Sequence, residues 1–390
     1  MSADQTATSQ EVACIGKPTS VADLDEAGYL NANPDIKAKG IGALAHFEAH
    51  GRAEGRLQTI NSQQIQTLRE TKIKQLLFSR PPSVDRHFGQ PVNFLSQELI
   101  QEFTIPDAPP ISAHPYPTHV VKLIRDNPNK LFLDVGAGLR PTYYHNVVNT
   151  EIYPSASTDV LCVGEGMPFT DGQFDFIFCF ATLEHTRRPW DVAAEICRVL
   201  KPGGTVMIDY PFMQPVHGYP HHYFNATPMG NRSLFEDTCD IVSLEIGWHH
   251  HPMVGLQWVL TVFRQGLPPT EAGVFGNLRV ADIIDRPIDA LLDESYCRDL
   301  HPDMQRVIAS GSMVIGVKRP LDDDEQPPPV AAGARIQPPQ PRTGADGRVR
   351  LLMQENDALR YQLAVIQQSR SWRMTAPMRG LGRLIKGQLH

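Results

Sequence analysis

From about residue 116 the apolar positions fall into short continuous runs, KLFLDVG, NVVNTEI, STDVLCV, FDFIFCF and GTVMIDY, separated by helix-compatible stretches such as WDVAAEICRVL. Short apolar runs between turn signals read as buried strands, and strands that alternate with helices predict a parallel sheet with right-handed crossovers. IVSLEIGW (241–248) reads as a further strand and SMVIGVKRP (312–320) as the last one, with a helical insertion over 252–311 between them. The predicted fold class is α/β over residues 116–319.

Outside that block the pattern changes. Residues 20–57 predict two short helices around a turn near Lys39-Gly40, with Leu24, Tyr29, Leu30 and Ile36 facing Leu44 and Phe47. A piece this small is not stable alone. Residues 1–19 are expected to be disordered, and 58–115 to form a helical or irregular lead-in that acts as a lid. Residues 320–347 contain seven prolines and almost no large apolar side chain, which predicts an extended linker. Over 348–370, Val349, Leu352, Asn356, Leu359, Leu363 and Ile366 alternate spacings of three and four, the a and d pattern of a coiled coil, which predicts a homodimer or pairing with another helix. The tail, 371–390, mixes Arg373, Arg379, Arg383 and Lys386 with Trp372, Met378, Leu381 and Ile385, a pattern suited to a membrane interface.

Composition removes several function classes. A net charge of -7, spread over both signs in 390 residues, offers no general basic surface to nucleic acid. The six cysteines form no C-x-x-C pair, which argues against zinc ribbons and disulfide frameworks and suits a reducing compartment. The first twenty residues lack a basic n-region and an apolar h-region, and no run approaches the ~18 apolar residues of a spanning helix. The expected location is cytoplasmic, with peripheral contact at the inner membrane through the tail.

The candidate chemistry starts at LFLDVGAGLRP, 131–141. A dinucleotide fingerprint needs a third glycine where Pro141 stands, and a P-loop needs a Gly-Lys-[Ser/Thr] that is absent. A ligand with a ribose and no phosphate needs a glycine turn for close backbone approach and an acid at the next strand end for the two hydroxyls. Gly136, Gly138 and Glu151 meet that description. With MPFTDGQFD (167–175), LEH (183–185) and RVLKPGG (198–204) in order behind it, the chain resembles the class I S-adenosylmethionine-dependent methyltransferases, in particular the broad type 11 group. The resemblance implies a Rossmann-like seven-stranded sheet whose last strand is antiparallel. It places Asp134, Gly136 and Gly138 along S-adenosylmethionine, Glu151 on the ribose, and Phe180 and Ala181 near the methionine end. The acid that members commonly place after the third strand is replaced by Val163, so the Gly164 backbone, or Glu165, is left to meet the adenine. Lys201 to Gly204 read as a structural turn.

On the acceptor side, methyl transfer needs positioning and, for a hydroxyl, a base. His185, in LEH, is one candidate for base or for a brace of the next helix. The segment 210–236, with His217, Tyr219, His221, His222 and Tyr223, resembles the family pattern H-x-x-P-x-[DH]-[YF]-x-x-x-T-x-x-G; His217 is the first choice for base or acceptor contact and His222 the second, against a lid of packed aromatics. His249-His250-His251, with His217 or His221, invites a metal, but adjacent residues on a strand point to opposite faces, so no metal is expected and the triplet reads as a solvated strand end or a wall of the acceptor pocket. Residues 20–57 and the SRSWRMTAPMR tail resemble modules that accompany bacterial surface-polysaccharide enzymes. The combined expectation is O-methylation of a sugar or related small molecule in surface-glycan assembly. A noncatalytic scaffold with a degenerate site and a nicotinamide oxidoreductase are the competing readings.

Overall fold

The computed structural model describes residues 10–105, 113–218 and 221–312, with the backbone alone of Trp248. The last expected strand beyond Ser312, the linker, the coiled coil, the basic tail and Tyr219 lie outside the described residues.

Six parallel strands make the central sheet: β1 (Val92–Asn93), β2 (Phe132–Val135), β3 (Val147–Glu151), β4 (Val160–Leu161), β5 (Phe174–Phe180) and β6 (Leu200–Asp209), in the order β6-β5-β2-β3-β4-β1. The apolar runs fix this order of burial: all four residues of β2 are buried at the centre. RVLKPGG feeds β6 through a register shift between Leu200 and Thr205, with Gly203 at φ +76°. IVSLEIGW forms no strand. Its alternating Val242, Leu244 and Ile246 are exposed, Val242 to 97%, and no described neighbour pairs their backbone.

Four helices position the rest: α1 (Ser62–Ile73), α2 (Thr118–Asp126), α3 (Pro189–Val199) and α4 (Pro252–Gln265). On one sheet face, Ile73 of α1 and Val192, Ala193 and Ile196 of α3 pack with Leu133, Val135, Val148 and Ile177. On the other, Val120 and Ile124 of α2 pack with Phe132, Val147 and Phe178. Each large side chain so buried contributes about 1.5–3 kcal/mol. Beyond α4, five shorter helices end at Val307.

The connection from β2 to β3 departs from the alternating pattern. Residues 136–146 hold no helix. They hold a short strand, Thr142–Tyr144, that pairs antiparallel with Glu11–Ala13, and the Pro141 carbonyl accepts from the Cys14 amide at 2.7 Å. Pro141 therefore leads into a strand, not into a helix. The connection is braced from the lead-in: Lys72 Nζ of α1 lies 2.8 Å from Asp159 Oδ2 and also donates to the Val147 carbonyl, while the Tyr143 hydroxyl donates to Asp159 Oδ1. Desolvation lowers the Lys72 pKa to about 8. A buried ion pair this dry costs solvation and is tolerated because its oxygens and protons find partners. The segment before residue 116 thus supplies a sheet strand and a packing helix.

In the N-terminal module, Tyr29, Ala43 and Phe47 form the small core with Leu24 and Leu30 against it. Leu44, expected to face inward, is exposed, and Ala43 holds that place. The Asp25 carboxylate caps Glu26–Ala32 by accepting from the Gly28 amide at 3.1 Å.

Candidate functional site

A cavity of about 1400 Å³ opens at the carboxyl ends of β2, β3, β5 and β6. This is the position at which open parallel sheets bind ligands.

Its first wall is backbone. Gly136 (φ +68°) and Gly138 (φ +63°) take conformations that L side chains avoid, and a Cβ on Gly136 would lie 2.3 Å from Thr182 Cγ2. The turn is locked to the end of β3: the Gly138 amide donates to Glu151 Oε1 at 2.6 Å, the Ile152 amide donates to Glu151 Oε2 at 2.9 Å, and the Ala137 amide donates to the Thr150 carbonyl at 3.0 Å. The Glu151 side chain reaches the cavity with lone pairs to spare, and burial raises its pKa. Gly164, Phe180 and Ala181 line the same cavity. Ala181 is a non-glycine residue at φ +49°, held there by its amide on the Asp209 carbonyl at 3.0 Å.

Asp134 is placed differently from the sequence expectation. It is fully buried behind the wall, where its Oδ2 accepts from Arg140 Nε at 2.8 Å and from the Tyr116 hydroxyl. Arg140, stacked 4.3 Å from the Tyr116 ring centroid, is the residue that lines the cavity. Val163 is buried and lines an apolar corner with Phe103, Ile105 and Ile152, and Glu165 lies beside it, its pKa raised by burial.

The second wall is made of side chains. Asp209, at the end of β6, accepts from His249 Nε2 at 2.8 Å, and His250 Nε2 lies 2.8 Å from its other oxygen. The histidine triplet is not a strand. A single 3-10 turn, Trp248–His250, lets two adjacent imidazoles reach one carboxylate, while His251 caps α4 by accepting from the Met253 amide at 3.2 Å. His185, His221 and Tyr223 line the cavity nearby, and His221 Nε2 is buried with no hydrogen-bond partner among the described residues.

His217 and His222, the first- and second-choice residues of the loop, do not line the cavity. They stand behind His185, with His217 packed on Trp258 at 5.0 Å between centroids. His222 is committed at both nitrogens, Nε2 to Asn225 Oδ1 at 2.7 Å and Nδ1 to the His217 amide at 3.2 Å. Burial lowers the pKa of His185 and of His217. Between them lies Glu184, fully buried, whose carboxyl is pushed up to about 8 mainly by desolvation. Thr182, Arg140 and Asp209 are wall residues that no motif in the sequence marks.

Residues 135–208 match a family described as a methyltransferase domain. Among curated proteins, the chain is 36% identical over 80 residues to an uncharacterised methyltransferase of Mycobacterium leprae, covering 19% of this chain and 30% of that protein. It is 40% identical over 68 residues to an uncharacterised methyltransferase of Mycobacterium tuberculosis, covering 16% and 27%. The chain thus spans about a third or less of the length of the curated relatives it matches. Among solved structures, it is similar to the YcgJ protein of Bacillus subtilis, with 17% identity, 31% and 67% coverage and a TM-score of 0.24. It is also similar to a phosphoethanolamine N-methyltransferase of Haemonchus contortus bound to phosphomonomethylethanolamine and S-adenosylhomocysteine, with 16% identity, 42% and 45% coverage and a TM-score of 0.26.

Proposed function

We propose that this chain is an S-adenosylmethionine-dependent methyltransferase that methylates an oxygen of a sugar or related small molecule in bacterial surface-glycan assembly. The observation that carries the reading is the Gly136–Gly138 turn bound to Glu151 with no helix behind it. Phosphate sites on glycine turns rely on the amides and dipole of a following helix, and here the chain runs on into the extended segment Thr142–Tyr144. The turn is therefore suited to close approach by a ligand whose recognised group is a ribose, and unsuited to a pyrophosphate, which disfavours the nicotinamide reading.

S-adenosylmethionine would supply an electrophilic methyl group on a sulfonium. The chain's own residues do the rest. Glu151, aimed by the Gly138 and Ile152 amides, accepts from the ribose hydroxyls. Phe103, Ile105 and Val163 give an apolar slot for the adenine, so ring packing stands in for the missing acid, with Glu165 at its edge. Gly136 leaves open the space that a side chain would fill. On the other wall, His249 held by Asp209 takes the acceptor proton, and His221 Nε2 accepts from a second hydroxyl of the acceptor. Glu151 and Glu165 on one wall and Asp209 on the other set carboxyl groups around a cationic donor.

The glycan assignment is supported by the sequences of the terminal modules. Pairing through the coiled coil and membrane contact through the basic tail complete the proposal; among the described residues no helix is long and apolar enough to cross a membrane. Mass spectrometry of surface glycans from cells with and without this protein tests the assignment: a loss of methyl-sized mass supports it, and unchanged glycans refute it.

A further inference from the structure

The two histidine clusters beside the cavity look alike in composition and differ in hydrogen bonding. Around Asp209 both imidazole Nε2 atoms lie 2.8 Å from a carboxylate oxygen, close enough for direct contact, and His249 is hydrogen-bonded to it. Glu184 differs: its side chain is 0% exposed, and neither carboxylate oxygen has a hydrogen-bond partner among the described residues. Leaving a buried carboxylate unpaired is expensive, and the cost is relieved by a proton or by a cation; lone pairs converging on one carboxylate oxygen favour the cation.

The surrounding lone pairs are arranged by backbone. His185 Nδ1 is 2.7 Å from the His221 carbonyl, and His217 Nδ1 is 2.8 Å from the Pro215 carbonyl. A carbonyl only accepts, so each Nδ1 carries the proton and each neutral ring presents a bare Nε2. Those two Nε2 atoms lie 3.8 Å and 3.9 Å from the same Glu184 Oε1. That is too long for a hydrogen bond. It is the separation of two ligands on one ion: bonds of about 2.0–2.2 Å, at angles from tetrahedral to somewhat wider, put donor atoms about 3.3–3.9 Å apart. All three ligand atoms lie within 4.8 Å of one another. Imidazole held by a backbone carbonyl at its other nitrogen is the usual outer support of a metal-binding histidine.

We infer that Glu184, His185 and His217 form a binding site for one divalent transition-metal ion of the zinc type. Two imidazoles and one carboxylate suit zinc, cobalt or iron(II) better than magnesium or calcium, which take oxygen ligands. The ion would join the turn after β5 to the loop that carries His217. That loop already runs hard against the turn: the Tyr223 amide donates to the Glu184 carbonyl at 2.6 Å, and at Gly218 (φ +79°) a Cβ would lie 2.2 Å from His185 Cε1. The site would therefore fix the acceptor wall, and its existence does not depend on which reaction the cavity performs.

The test uses the full-length, tag-free protein. After dialysis against EDTA it is titrated with cobalt(II) and followed by visible absorption; a second sample is loaded with zinc, desalted and assayed by elemental mass spectrometry. The expected result is one zinc ion per chain and d–d bands of cobalt in a low-coordinate N/O site. Glu184→Gln and His217→Ala, each checked by circular dichroism, should lower retention at least about tenfold, whereas Asp209→Asn should retain zinc like the wild type. Wild-type protein that keeps no zinc and gives a cobalt spectrum like the free aqueous ion overturns the inference. So does undiminished retention in folded Glu184→Gln and His217→Ala. Both readouts are independent of S-adenosylhomocysteine binding, so failure here and failure of the methyltransferase reading are told apart.

Discussion

The two walls of the cavity hold their polar groups by different means. On the β2–β3 side, Glu151 is aimed by the amides of Gly138 and Ile152, and the glycine turn is fixed by the Ala137 amide on Thr150. On the β5–β6 side, the polar pair at the cavity is held side chain to side chain: His249 and His250 on Asp209. Backbone-held groups lose little entropy on binding and suit an invariant ligand. Side-chain-held groups can be exchanged without disturbing the sheet, which suits a wall that sets acceptor choice.

The comparison breaks most sharply at Gly136. Gly136→Arg places a long side chain in the turn, against Thr182, and should abolish binding of S-adenosylhomocysteine while leaving the far-ultraviolet circular dichroism of the sheet intact. Calorimetry that found wild-type affinity in this variant would remove the first wall from the site. Next in size, Asp209→Asn should lower the turnover number about a hundredfold or more by releasing His249 from its partner. Its cofactor affinity should stay unchanged, and a matching loss of affinity would show that the walls are not separate in function. Glu151→Ala should weaken cofactor binding by about 1.5–3 kcal/mol, the value of hydrogen bonds to a charged acceptor. The smallest effect is a pH dependence. Burial raises the Glu151 pKa, so on acidification this carboxylate takes up a proton earlier than a free glutamate and loses acceptor capacity. Affinity for S-adenosylhomocysteine should fall as the pH drops into the weakly acidic range, and Glu151→Gln should flatten that profile.

The same contrast explains what was legible in the sequence. β2, β3 and β5 were readable because each is a short apolar run, and Gly136, Gly138, Glu151, Phe180 and Ala181 follow from strand ends a few residues away. Asp134 was misplaced because its partner, Arg140, acts across a turn, and an acid at a strand end looks the same whether it faces ligand or a buried guanidinium. The strand in the connection from β2 to β3 is not legible locally, since its pairing with Glu11–Ala13 lies more than a hundred residues away in the chain. The bend at Trp248–His250 was invisible for a related reason: adjacency excludes shared ligation only on a strand, and nothing local in WHHH announces a 3-10 turn. A loop rich in histidine marks a region, but which of its histidines reach the cavity is decided by packing: His221 lines it, while His217 packs on Trp258.

The central claim is that the glycine turn and Glu151 bind the nucleoside of S-adenosylmethionine. Isothermal titration of the wild-type protein with S-adenosylhomocysteine, with NAD as a parallel titrant, tests it most directly. The account predicts saturable one-site heat with S-adenosylhomocysteine and none with NAD. Saturable binding of NAD, or no heat with S-adenosylhomocysteine at high protein concentration, would contradict it.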